Sequence, residues 1–204
     1  MTEPSRTVEV ERKYDVDAQT PVPKWEGLPR VTSVTPGEER ALDAHYFDTA
    51  DGALSRAGVA VRRRTGGPDE GWHVKGPREG DGRIELGWPL GDDDGLPDAV
   101  AETIARWTTE PLAPLARIEN ARTAYRLLGP DGVVAEFVDD HVRATDLRTG
   151  TRREWREWEM ELGPAAPVNG AAREEFFTAV ERAIRVAGGR DAASDSKLAR
   201  ALGF

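Results

Sequence analysis

Strand after strand of this chain carries charge on one face and apolar side chains on the other. In the stretch 8–14, Glu9, Glu11 and Lys13 alternate with Val8, Val10 and Arg12, and alternate residues of a strand point to the same face. Arg62 and Arg64 share a face in 60–64. His73 and Lys75 oppose Trp72 and Val74, and Arg83 and Glu85 oppose Ile84, Leu86 and Trp88. Glu136 and Asp140 share a parity, and Glu157, Glu159 and Glu161 oppose Trp158, Met160 and Leu162. One charged strand face is ordinary in a sheet with a solvated side. Its recurrence in nearly every strand needs another explanation.

The helical stretches supply one, because they carry apolar faces too. Val100, Ile104 and Trp107 lie on one face of 98–107, and Phe176, Phe177, Val180, Ile184 and Ala187 recur at helical spacing. If these helices lie outside a curled sheet, the apolar strand faces must point outward to meet them. The charged faces then line the lumen, which a wide barrel can tolerate. The prediction is an α+β protein: a closed antiparallel eight-stranded β-barrel with a polar lumen and helices packed outside.

Turn signals place the remaining elements. Strands are expected over 42–48, 59–65, 71–75, 83–90, 115–128, 133–139, 142–147 and 153–162, with a short last helix over 196–202. Residues 15–40, punctuated by Pro21, Pro23, Pro29 and Pro36, read as loop, and Gly76-Pro77 as a strand stop. Asp92-Asp93-Asp94-Gly95 is an acidic loop, with Asp98 the expected N-cap of the helix after it. Residues 163–170, with Pro164 and Pro167, read as a linker to the C-terminal helices inside a single domain, 1–204.

Composition removes several functions. The net charge of −9 argues against nucleic acid and anionic membrane as partners. The absence of cysteine excludes disulfides, a thiolate nucleophile and zinc–thiolate sites. With no apolar run of spanning length and no signal-peptide core, a cytoplasmic location is expected.

Charges facing a lumen are expensive unless paired or ligand-bound. The carboxylates are Glu9, Glu11, Glu136, Asp140, Glu159 and Glu161, with Glu85 added. The bases are Lys13, Arg62, Arg64, Lys75 and Arg83, with Arg122 added. Grouped carboxylates suit hard cations such as Mg²⁺ or Mn²⁺, and grouped Arg and Lys suit phosphate oxygens. Together they suit a metal-complexed polyphosphate, the alternative being internal ion pairs with no ligand.

Glu9-Val10-Glu11-Arg12-Lys13 resembles the E-x-E-x-K signature of the CYTH superfamily, the triphosphate tunnel metalloenzymes. Tyr46-Phe47-Asp48-Thr49 with Leu54 and Val61-Arg62-Arg63-Arg64 resembles the next stretch of that family. Trp72-His73-Val74-Lys75, Arg122-Thr123-Ala124-Tyr125, Glu159-Met160-Glu161 and Ser196-Lys197-Leu198-Ala199-Arg200-Ala201-Leu202 follow in the family's order. The resemblance implies a tunnel binding a small-molecule triphosphate. Lys13, Arg62, Arg64, Lys75, Arg83, Arg122 and Lys197 would hold phosphate oxygens. Glu9, Glu11, Glu136, Asp140, Glu159 and Glu161 would hold Mg²⁺ or Mn²⁺, with Glu85 in support. Glu9, Glu11, Lys13 and Lys75 would act in catalysis. Strand parity with Glu136 favours Asp140 over Asp139. Asn120 departs from the pattern, standing where many members carry a base.

The family leaves several activities open: hydrolysis of inorganic, thiamine or nucleoside triphosphates, class IV adenylate cyclisation, or binding without turnover. Ala60 stands where thiamine-selective relatives carry a Trp, which favours inorganic triphosphate. A homodimer stays open, and no helical CHAD partner domain is expected after Phe204.

Overall fold

The computed structural model describes residues 3–92 and 95–204, so Asp93 and Asp94 of the expected acidic loop lie outside the described residues. The chain opens with β1 (Ser5–Glu9) and β2 (Glu11–Asp15), two halves of one extended stretch separated by Val10 alone. Then follow β3 (Ser33–Val34), β4 (Glu38–Asp48), α1 (Ala53–Arg56), β5 (Ala60–Thr65), β6 (Gly71–Glu79), β7 (Gly82–Trp88) and α2 (Asp98–Ile104). The second half holds β8 (Ala113–Gly129), β9 (Gly132–Asp146), β10 (Arg152–Leu162), α3 (Gly170–Ala187), β11 (Arg190–Asp191) and α4 (Lys197–Leu202).

The strands form one antiparallel sheet in the order β1-β7-β6-β5-β4-β8-β9-β10-β2-β11, with β3 on β8. The path thus runs from one half of the N-terminal stretch round to the other. Val10 sits at the handover, where its carbonyl accepts from Leu162 N at 3.0 Å. The architecture is α+β, a curled antiparallel sheet with four helices among the described residues.

Three strand expectations change. Residues 132–146 form the single strand β9 rather than two. Asp139 and Asp140, where the first of the two was expected to end, are each paired across the ladder, to Arg156 on one face and Arg122 on the other. β6 runs on through Gly76-Pro77 to Glu79, with an irregular register between Lys75 and Arg78 that absorbs the proline. β4 begins at Glu38, inside the segment read as loop. At α2, Pro97 is the N-cap and Asp98 lies in the first turn.

The apolar strand faces meet helices as expected. Tyr14, Phe137, Trp158 and Met160 pack against Phe176, Phe177, Val180 and Ile184 of α3. Full burial of a side chain such as Phe176 or Ile184 contributes about 2 kcal/mol. Asn169 caps α3 through its side chain, and Gly188, at φ 107°, ends it. A second cluster joins Val61, Trp72, Val74 and Trp88 to Leu54 of α1 and Val100 and Ile104 of α2.

The fourth helix departs from the expectation of helices outside. Leu198 and Ala201 pack on Ala44, Tyr46, Ile118, Val142 and Ala144. These share strand parity with Arg122 and Asp140, so α4 sits on the charged, concave face. The alternation gives way to small and apolar residues at one end of that face, and α4 fills the space they leave.

Candidate active site

Ladder register brings the charged faces together. On one wall Lys75 stands opposite Glu85, Glu9 opposite Arg83, Arg62 opposite His73 and Tyr46 opposite Arg62. Lys75 Nζ donates to both oxygens of Glu9, at 2.7 and 2.9 Å. Glu85 accepts from Arg62 at 3.0 Å, and its Oε1 lies 2.8 Å from His73 Nδ1. Burial pushes the Glu9 carboxyl up to about 8, against Lys75, and its hydrogen bond to Glu85 adds to the rise. Glu85 is held low, because Arg62 and Lys75 outweigh its burial. The two carboxyls titrate together, Glu9 drawn toward its protonated form and Glu85 toward its charged form. Tyr46 is also buried, yet Arg62 draws its phenol below the usual value.

Arg83 and Arg64 close this wall. Arg83 donates to the carbonyls of Gly76 and Gly58, at 2.6 and 2.9 Å. Its ladder position comes from β7, and its guanidinium is aimed by two backbone oxygens. Arg64 pairs with Asp69, from the hairpin between β5 and β6. Burial, with Arg62 and Arg122 nearby, lowers the Arg64 pKa. A guanidinium stays charged in a protein, so Arg64 carries its charge against burial and two neighbouring cations, with Asp69 as its paired carboxylate.

The facing wall comes from β8, β9, β10, β2 and α4. Arg122 binds Asp140 through two parallel bonds of 2.8 and 2.7 Å and reaches Glu159 at 3.0 Å. Lys13 contacts Glu159 and lies 3.0 Å from Glu11. Lys197, the first residue of α4, places its ammonium 2.8 Å from Asp140, 2.6 Å from Glu157 and 2.5 Å from Glu159. Burial opposes a charge there, but Asp140, Glu159 and Glu157 together hold the Lys197 pKa well above its usual value. Ser196 caps the helix by accepting from Ala199 N, which fixes where Lys197 begins.

The structure brings most of the predicted residues to one cavity of about 110 Å³. Glu9, Glu11, Lys13, Arg62, Arg64, Lys75, Arg83, Arg122, Glu159, Glu161 and Lys197 line it. Asp140 and Glu85 stand behind the lining, fully and almost fully buried. Asp139 faces outward to Arg156 and to the Trp158 indole. Glu136 keeps the inward parity but is not among the lining residues. Arg40 takes both its oxygens, at 3.0 and 3.2 Å, because β4 starts early enough to reach it. Sequence reading missed Glu157, although its parity with Glu159 and Glu161 was on view. It also missed Tyr46 and Asp69 as lining residues, and Arg40.

Two sets of carboxylates could serve a cation. Oxygens of Asp140, Glu157 and Glu159 lie within 4.8 Å of one another, a buried acidic cluster that could bind a metal. The Lys197 ammonium already stands among these three. Glu161 is different: it forms no ion pair among the described residues. Burial, with Glu11 and Glu159 beside it, pushes it up to about 7. Burial raises both Glu9, against its Lys75 partner, and Glu161, and Glu11 lines the cavity with them. These all-oxygen donors fit a hard divalent ion.

Cations and carboxylates are massed on the concave face of a curled antiparallel sheet. The chain belongs to the CYTH domain family, whose sequence model matches residues 7–193. Two uncharacterized proteins of Mycobacterium tuberculosis, from strains CDC 1551 / Oshkosh and H37Rv, are each 37% identical over 213 residues. The matches take in 98% of this chain, which spans 41% of those relatives' length. Among solved structures, a candidate adenylate cyclase of Bacillus halodurans superposes with a TM-score of 0.63 at 17% identity, covering 96% of this chain and 97% of that one. The candidate adenylyl cyclase HpAC1 of Hippeastrum, described as having a dominant triphosphatase activity, gives 0.52 at 15% identity over 94% and 93% of the two chains. At such identities the superpositions show the fold. Among the described residues no helix is long and apolar enough to cross a membrane.

Proposed function

We propose that this chain hydrolyses triphosphate with the help of a divalent metal ion, and that its substrate is inorganic triphosphate. The observation that carries this reading is the meeting of seven cationic side chains with Glu9, Glu11 and Glu161 in one cavity of about 110 Å³. Sites for drug-sized organic ligands run from roughly 300 Å³ upward, so the cavity suits a bare phosphate chain better than a nucleoside or thiamine ester. Ala60 lines it and offers no aromatic platform. The candidate activities of the Bacillus and Hippeastrum proteins agree with a triphosphate ligand. In this reading the sheet closes into an eight-stranded tunnel, with β1 and β2 counted as one strand.

The residues divide the work. Arg62, Arg64, Lys75 and Arg83 hold phosphate oxygens from one wall, and Lys13, Arg122 and Lys197 from the other. Glu85 orients Arg62 and Lys75. Glu9, Glu11 and Glu161 would hold Mg²⁺ or Mn²⁺, with Glu159 and Asp140 behind them. Such an ion supplies charge neutralisation and a lowered pKa for bound water. Phosphoryl transfer rests on positioning and charge stabilisation, so no protein nucleophile is needed. The site offers cations fixed by ion pairs and backbone carbonyls, and carboxylates near neutrality that can hold or release a proton.

The test is phosphate release from tripolyphosphate, thiamine triphosphate and ATP, each with Mg²⁺, Mn²⁺ or EDTA. Fastest release from tripolyphosphate, abolished by EDTA, is expected. No metal-stimulated release from any of the three would overturn the reading, and preference for an organic ester would overturn the substrate assignment.

A further inference from the structure

Asp69 lines the cavity from a hairpin rather than from a strand or α4, as Asp195 and Ser196 do from the loop before α4. It lies in the hairpin 66–70 between β5 and β6, whose first residues, Gly66 and Gly67, take φ values of 78° and 80°. A side chain at Gly66 would meet the Ala41 carbonyl at 2.0 Å, so the hairpin is pinned tightly against β4 at its base. From there its far side bends over the cavity. The Asp69 carbonyl accepts from His73 Nε2 at 2.9 Å, and its carboxylate rests on Arg64.

The two partners of that ion pair differ sharply. The Arg64 side chain is 7% exposed and Asp69 is 58% exposed. Arg64 is therefore fixed in the wall, while Asp69 reaches in from solvent. An exposed carboxylate loses little by returning to water, whereas buried Arg64 would lack its counter-charge. Asp69 thus stands where an oxyanion of a ligand would stand.

We propose that Asp69 is an internal competitor for the anion site, occupying Arg64 until a polyphosphate displaces it, and that it thereby selects highly charged ligands over orthophosphate and pyrophosphate. This rests on the proposed polyphosphate site. A ligand with many charged oxygens gains contacts on both walls and offsets the displacement. Orthophosphate gains few and does not.

The experiment is calorimetric titration of tripolyphosphate, pyrophosphate and orthophosphate into the wild type, Asp69→Asn and Glu70→Gln, without metal. Glu70 is the control: it is in the same hairpin and carries the same charge, but accepts from Gly66 N instead of touching Arg64. Asp69→Asn should tighten tripolyphosphate about two- to fivefold, the scale of one partly exposed charge pair, and bring pyrophosphate into measurable range. Glu70→Gln should change affinity less than twofold. Unchanged or weaker binding in Asp69→Asn would overturn the proposal, as would equal tightening by Glu70→Gln, which would mark a general effect of charge. If the wild type failed to bind tripolyphosphate, the polyphosphate site itself would fall, a distinct outcome.

Discussion

The Lys197 ammonium lies 2.8 Å from the Asp140 carboxylate, which is fully buried. A residue from the last helix thus stands among three buried carboxylates of β9 and β10, Asp140, Glu157 and Glu159. Without Lys197, Arg122 still holds Asp140 and Glu159, but buried Glu157 loses its close cation, and a buried charge left short of a partner costs up to about 3–5 kcal/mol. Lys197→Ala should lose stability on that scale in denaturant titration, and Mg²⁺ should restore part of it by entering among Asp140, Glu157 and Glu159. In the wild type, triphosphate with metal should slow hydrogen exchange over 194–203, and the variant should lose much of that protection. Full stability together with unchanged exchange would return Lys197 to a surface role.

Strand parity makes a sharper prediction in β5. Arg62 and Arg64 line the cavity and Arg63 does not. Arg62→Ala should weaken tripolyphosphate binding by about 1.5–3 kcal/mol, the range for a hydrogen bond to a charged group. Arg63→Ala should leave affinity within about twofold. Equal losses at both positions would defeat the facing.

Most of the site was legible because a strand has period 2. Once Glu9 is taken as inward, Glu11 and Lys13 follow, and the same rule separates Asp140 from Asp139. Parity carries no information about height along the strand or about partners. Glu136 has the right face, yet Arg40 claims it, and Arg40 was hidden in a proline-punctuated segment. Asp69 was not legible at all, because a hairpin tip has no parity. The helices read correctly as amphipathic, but amphipathicity does not say which side of the sheet is covered. Leu198 and Ala201 found the inner face because Ala44, Ile118 and Ala144 leave it small and apolar there.

The carboxylates should separate by substitution. Glu161→Gln keeps volume and mimics the protonated form that burial already favours, so the fold should persist while metal-dependent turnover is lost. Glu9→Gln should behave alike in turnover. Glu136→Gln should do the reverse, leaving metal dependence unchanged and losing about 1 kcal/mol through the weakened Arg40 pair. Near wild-type turnover in both Glu9→Gln and Glu161→Gln at limiting Mg²⁺ would remove them from the metal site.

Proton linkage gives the last prediction. Folding raises Glu9 from 4.5 to about 8 and Glu161 from 4.5 to about 7. The folded state therefore binds these protons more tightly than the unfolded state does. Their contribution to stability is fully present below about pH 4.5 and is lost as pH rises through 7 and 8. Above pH 8 both groups are buried anions, the form a divalent ion binds, whereas at lower pH binding must first displace their protons. Mg²⁺ should therefore raise Tm little at pH 6 and more at pH 8.5, by about 3 °C or more, as expected when about 1 kcal/mol is added to a chain of this size. The double variant Glu9→Gln/Glu161→Gln should show the same small Mg²⁺ effect at both pH values. A wild-type gain independent of pH would place the metal elsewhere and leave these two carboxyls as buried acids.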